Sequence, residues 1–148
     1  MLSLDEAVAR LLAQGRARPI TGSQTVSTID ALGRVLAADV VSTLDVPPAD
    51  NTSMDGYALR ACDVPVAGTV LPVSQRIAAG VVGRPLEAGT AARVFTGAQI
   101  PANADAVVMQ EQCTAVSGHG LGTVQVNSAI EAGQWIRRRG EDVRRGQR

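Results

Sequence analysis

Leu4, Val8, Leu11 and Leu12 recur at helical spacing behind Ser3-Leu4-Asp5-Glu6, which predicts a helix with one apolar face. Ser3 suits the N-cap and Glu6 the reciprocal bond back, the pattern of a capping box. Gly15 offers an end. A short amphipathic helix must dock, either within the chain or on a second copy. Ser27-Thr28-Ile29-Asp30 opens a second predicted helix, with Ile29, Leu32, Val35 and Leu36 as its stripe. Residues 37–41 leave it as a predicted strand. From Gly68 onward the pattern changes to short apolar runs between turn residues. Residues 69–73 are strand-like, although Pro72 confines them to an edge or a bulge. Residues 76–80 and 92–96 predict further strands, with 84–90 as a connection. Residues 106–110 are the strongest β-run of the chain. Ser117-Gly118-His119-Gly120 predicts a hairpin tip, with 123–126 returning from it. The expectation is an α+β fold, mostly β with short α-helices: a compact, distorted barrel-like body behind an N-terminal helical region.

One stretch fits neither period. Pro47-Pro48-Ala49-Asp50-Asn51-Thr52-Ser53-Met54-Asp55-Gly56-Tyr57-Ala58 crowds two acids, an amide and two hydroxyls into six positions. The prolines favour extended backbone. The short polar side chains bond to nearby backbone in turns. Read alone, the stretch is a shaped loop presenting polar groups, and a plain surface turn accounts for the same residues.

Composition narrows the classes. The 148 residues are 45% hydrophobic but only 2% aromatic, so the core must be built from Val, Leu, Ile and Ala. Fifteen Gly and seven Pro argue against a helical bundle. Net charge is zero, which gives no global pull toward nucleic acid or membrane. All 14 basic residues are Arg, six of them after Trp135. That run lacks stacking aromatics and is interrupted by Glu141 and Asp142, so a solvated or interface segment is the better reading. Cys62 and Cys113 have no metal-ligand spacing and are expected as reduced, mostly buried thiols. No apolar run of about 18 residues occurs, and a soluble, cytoplasmic protein is expected. No final apolar element follows the last arginines, as though the chain were a piece of a longer one.

Three polar clusters recur at strand ends: residues 50–55, Thr96-Gly97 and Gly140-Glu141-Asp142. Acids brought together by a fold can hold Mg²⁺ or position a water. A Thr-Gly turn can aim a hydroxyl and backbone N–H groups at an oxyanion. Spacing alone does not show that the clusters meet. His119 lies between glycines and reads as an exposed turn residue. There is no GxSxG, HExxH, Walker A or dinucleotide-binding fingerprint.

The residues 47–58 resemble the P-x-x-D-N-S-x-M-D-G-Y-A signature of the MoeA-type molybdopterin molybdenumtransferases, a family that includes the E domain of gephyrin. Phe95-Thr96-Gly97-Ala98-Gln99-Ile100-Pro101 and Ala104-Asp105-Ala106-Val107-Val108-Met109-Gln110-Glu111 are similar to its T-G-A-x-x-P…A-D-A-V-V-x-x-E block. Ile136-Arg137-Arg138-Arg139-Gly140-Glu141-Asp142-Val143 is similar to its R-x-x-G-E-D block, and Leu32-Gly33-Arg34-Val35-Leu36-Ala37 to the helix before the signature. Ala49 departs from a usually bulky position, which loosens the expected loop packing, and Thr52 from a frequent Ser.

The resemblance implies a linker and dimerisation region at 1–45, with 143–148 returning to it, and a β-rich second domain at 46–142. The family's pterin-binding and C-terminal domains lie outside this chain. The implied reaction takes adenylated molybdopterin and molybdate, releases AMP with help from Mg²⁺ and leaves molybdenum on the dithiolene. Asp55, Asp142 and Thr96 are implied as catalytic, with Asp55 and Asp142 on the metal. Asn51, Ser53, Gly97 and Arg137 would position substrate or its oxyanion, while Arg137, Arg138 and Arg139 read first as interface ion-pair formers. Implied partners are a second copy of the chain, adenylated molybdopterin and the molybdopterin adenylyltransferase, with neither nucleic acid nor membrane. A non-catalytic assembly module of the same family, as in gephyrin, is the alternative.

Overall fold

The computed structural model describes residues 2–148, which fall into two compact units, one up to Asp39 and one from Val40 to Arg148.

The first unit holds helix α1, Leu4–Ala17. Its capping box forms: the Ser3 hydroxyl accepts from the Glu6 N–H, and Glu6 accepts from the Ser3 N–H. The helix runs through Gly15 and ends at Arg18, whose N–H bonds the Gly15 carbonyl. Nothing on α1 is buried, and Leu4 and Leu11 are exposed. The second predicted helix shrinks to one 3₁₀ turn, Thr28–Ala31, capped by Ser27. Its stripe finds no surface to cover; Ile29, Leu32, Val35 and Leu36 all stand exposed. A short helix without a packed face is marginal, so the backbone leaves it after one turn. Residues 37–41 form no strand, because no neighbouring strand pairs with them.

The second unit is built from eight strands: β1 Asn51–Thr52, β2 Gly56–Leu59, β3 Thr69–Ile77, β4 Ala91–Val94, β5 Ala106–Met109, β6 Cys113–Val116, β7 Thr123–Val126 and β8 Ile136–Arg137. Six of them form one sheet in the order β5-β2-β4-β3-β7-β6, and β1 pairs β8 in a separate ribbon. Only β3 and β4 run parallel within the large sheet.

The sheet must curl. Its edges, β5 and β6, are joined by one 3₁₀ turn, Gln110–Gln112. Four chain steps reach at most about 14 Å. Five interstrand spacings laid flat would separate the edges by about 24 Å. The result is the half-barrel anticipated by the β-rich pattern.

Both faces of its central strands are buried. Tyr57, Leu59, Ala91, Val108, Val124 and Val126 pack on one face. Ala58, Ala92, Val94 and Val107 pack on the other, with Leu86 and Ala98. Burial on both faces explains why these runs are continuously apolar rather than alternating. Two strand expectations change. Residues 69–73 and 76–80 are a single strand up to Ile77, with a register shift between Val73 and Gln75. That strand is interior, not an edge. Pro72 is tolerated because it ends the β7 pairing before the β4 pairing begins at Val73. The tip between β6 and β7, including exposed His119, is as expected. No helix among the described residues is long and apolar enough to cross a membrane.

Candidate functional site

The polar stretch after Pro48 is more structured than a loop. Asn51 and Thr52 pair with Arg137 and Ile136, while Gly56, Tyr57 and Ala58 belong to β2 and are buried. Between the strands Thr52 makes the turn: its hydroxyl donates to the Met54 carbonyl at 2.6 Å and accepts from the Met54 N–H at 3.1 Å. Thr52 is 1% exposed, so its methyl group fills space that a serine would leave. Ser53 donates from both its N–H and its hydroxyl to the Trp135 carbonyl, each at 3.1 Å. Trp135 holds φ at 55°, a left-handed conformation uncommon for a bulky residue.

The Thr96-Gly97 turn is zipped to the same stretch. Thr52 N–H donates to Ala98 O, Gly97 N–H to Thr52 O, and Ile100 N–H to Asp50 O. Gly97 sits at φ 81°, which a Cβ would oppose. This zipper places Thr96 on Asp55. The Asp55 Oδ1 accepts from the Thr96 N–H at 2.8 Å and from its hydroxyl at 2.7 Å. The Thr96 N–H, then its hydroxyl, and then the Arg93 charge hold the Asp55 carboxyl below its ordinary pKa. Among the described residues, Oδ2 of Asp55 has no protein donor.

The arginine-rich end is drawn in by acids. Arg137 grips both oxygens of Asp142 at 2.6 Å and also reaches Glu141 at 3.5 Å. The bond to Asp142 leads the causes that raise the Arg137 pKa. Arg138 pairs with Asp50 at 2.8 Å, and Arg139 with Asp45 at 2.7 Å. Asp50 also accepts from the Arg139 N–H at 2.7 Å and Asp45 from the Arg145 N–H at 2.9 Å. Those backbone bonds are the leading reason that both carboxyls lie below their ordinary pKa. The three arginines read as interface residues therefore have partners within the chain. Further along, Val46 bridges Val143 and the Ser42 N–H bonds the Gln147 carbonyl.

The three polar clusters are thus tied together through backbone, but their acids are not pooled. Asp55 and Thr96 meet directly. Asn51, Arg137 and Asp142 form a second group, through strand register and the ion pair. No group of three or more His, Cys, Asp or Glu that could hold a metal occurs among the described residues. Asp45, Asp50, Arg93 and the Trp135 carbonyl complete the scaffold and were not singled out as site residues. Arg93 carried a usable signal, a lone charge inside an apolar strand. The Trp135 carbonyl carried none. Cys62 is exposed rather than buried, since it lies in a short 3₁₀ turn at the surface, and Cys113 is half-buried. Burial pushes the Cys113 thiol up to about 11.

A half-barrel carrying an acid–hydroxyl pair on zipped loops defines a β-rich domain that presents polar groups at one side. Residues 2–148 match the family described as MoeA N-terminal region (domain I and II), and the chain belongs to that family. It is 36% identical over 147 residues to the molybdopterin molybdenumtransferase of Haemophilus influenzae, covering 99% of this chain and 35% of that protein. The molybdopterin molybdenumtransferase of Synechococcus elongatus is 37% identical, with 99% and 36% covered. The crystal structure of a molybdopterin biosynthesis MoeA protein from Pyrococcus horikoshii OT3 superposes with a TM-score of 0.77 at 38% identity, over 84% of this chain and 33% of that one. The chain thus spans about a third of the length of these relatives.

Proposed function

We propose that this chain acts in molybdenum cofactor biosynthesis, as the part of a cytoplasmic molybdenumtransferase that supplies one wall of the active cleft. The observation that carries the reading is the Asp55–Thr96 pair, set on the stretch where the family resemblance is densest. Adenylated molybdopterin and molybdate would be the substrates, the former delivered by the adenylyltransferase, and AMP the leaving group.

The donor set fits Mg²⁺ at one acid. Asp55 offers a hard, ionised carboxylate with Oδ2 open, and Mg²⁺ is commonly held by one or two carboxylates plus substrate phosphates. Asp142 does not fit as it stands, because Arg137 occupies both its oxygens. Mg²⁺ held at Asp55 would neutralise charge at the scissile phosphate. Thr96 fixes the Asp55 rotamer and keeps it ionised, while Gly97 lets the turn close onto β1. Ser53 locks the loop on Trp135. Asn51 aligns Arg137, whose guanidinium meets phosphate geometry if it leaves Asp142.

The exposed apolar positions of the first unit favour assembly as a homodimer, since Leu32 is 96% exposed and Ile29 89%. The same surface would serve a scaffold.

The test is a chimera. Residues 2–148 replace the matching segment of the Haemophilus influenzae relative in cells lacking their own transferase. Restored cofactor, lost on Asp55→Asn and kept on Asp30→Asn, supports the reading. Full yield with Asp55→Asn overturns it.

A further inference from the structure

A cleft of about 260 Å³ opens between the β6–β7 hairpin and the row formed by β2, β4 and β3. Arg76 and Arg93 lie in register on the neighbouring strands β3 and β4. Both line the cleft. They flank the Phe95 ring, with guanidinium carbons 4.7 and 4.8 Å from its centroid. Arg93 also lies over Tyr57, 5.1 Å from that ring. Two like charges held this close repel each other, and neither is in an ion pair among the described residues. Arg93 spends two donors on neutral groups, the Gly56 carbonyl and the Gln110 amide oxygen. The Arg76 guanidinium has no hydrogen-bond partner among the described residues, which leaves its donors available to a ligand.

We propose that this cleft binds a compact organic oxyanion, a phosphate monoester or a carboxylate, on Arg76 and Arg93. The opposite wall supplies the rest of the recognition. Ser117 and Thr123 bring hydroxyls, and Val116 and Leu121 an apolar surface for a short carbon body. An anion between the two guanidiniums relieves their repulsion, and a cleft lined by one sign of charge focuses its field on such an anion. Stacking on Phe95 fixes both forks beforehand, so little side-chain freedom remains to be lost on binding. Size limits the class: the volume is below that of pockets for drug-sized ligands, which excludes a dinucleotide. Asp55 is not among the residues lining the cleft, although the Arg93 charge reaches it, and the cleft needs no divalent cation.

The experiment follows the Arg side-chain N–H and backbone amide NMR signals of the chain without Mg²⁺. Glycerol 3-phosphate, inorganic phosphate and acetate are titrated in turn, with ionic strength held constant by sodium chloride. The expected result is a saturable shift at Arg76, Arg93 and Thr123 with glycerol 3-phosphate or acetate. Preference between these two distinguishes ester from carboxylate. Arg76→Gln should weaken binding about tenfold or more, while Arg10→Gln on α1 leaves it unchanged. Arg76 makes no bond that the fold requires, so that variant keeps the sheet. Shifts that never saturate overturn the proposal. So does binding of inorganic phosphate alone, or an Arg76→Gln affinity within about twofold of the parent. Because no cation is added and Asp55 is untouched, this test and the chimera fail independently.

Discussion

A Cβ placed on Gly56 would lie 1.9 Å from the carbonyl oxygen of Val108. The two residues belong to the adjacent strands β2 and β5, the latter at the edge of the sheet. The obstacle is backbone, so it cannot swing aside. Gly56→Ala is expected to destabilise the second unit by about 4 kcal/mol or more, enough to abolish folding of a marginal domain. Gly80→Ala provides the contrast: Gly80 holds φ at 81° but has open space around it, so about 1–2 kcal/mol is expected. Thermal or urea unfolding of the two variants checks the order. A stable Gly56→Ala would mean that β2 and β5 are farther apart.

The Asp55 carboxyl titrates low because Thr96 donates to it, the backbone N–H more than the hydroxyl. Thr96→Val keeps the first bond and removes the second. The Asp55 carbon signal should therefore titrate at higher pH in the variant, while staying below a free aspartate. Asp45, Asp50 and Asp55 are all depressed in the folded chain. Their contribution to stability is complete above the unfolded value near pH 4 and is lost as pH falls through the folded values. Acid unfolding should therefore begin below about pH 4. An unchanged Asp55 titration in Thr96→Val would remove the hydroxyl from the account.

Asp50 fastens the last segment to the first turn of the site. Asp50→Ala removes an ion pair and a backbone bond to residues 138 and 139. The pair is partly exposed, so the expected global cost is only about 1 kcal/mol. The local cost is larger: amides 138–143 should exchange faster in deuterium, while those of β2 and β5 keep their protection. Equal protection throughout would show that the Val46–Val143 bridge suffices.

The thiols should separate cleanly. Cys62 is exposed, whereas Cys113 is half-buried with its thiol pushed up to about 11. At pH 8, iodoacetamide should label Cys62 at least about tenfold faster. Mass spectrometry of the labelled peptides reads the ratio, and equal rates would contradict the burial of Cys113.

Much of the β body was legible because its signals are local. Residues 106–109 are continuously apolar, and glycines bound the β6–β7 tip. The curl was legible only as a strand count, since the short link between β5 and β6 needs the strand order to acquire meaning. The second helix failed for a different reason. Ile29, Leu32, Val35 and Leu36 have helical spacing, but spacing stabilises nothing until a surface covers it. At the site, the acids and Thr96 could be picked out by type. Their partners could not: Arg137 meeting Asp142 and Arg138 meeting Asp50 follow from the β1–β8 ribbon, whose two-residue strands are too short to leave a pattern.

That ribbon joins Thr52 to Ile136 across nearly the whole second unit. Closing so long a loop is entropically slow, and it yields few contacts in return. The large sheet, with its denser pairings, is therefore expected to condense before the ribbon closes. On the ribosome, Asp55 and Thr96 can meet while synthesis continues. Arg137 and Asp142 are drawn in only when the ribbon closes, so this part of the candidate site is expected to mature in two instalments.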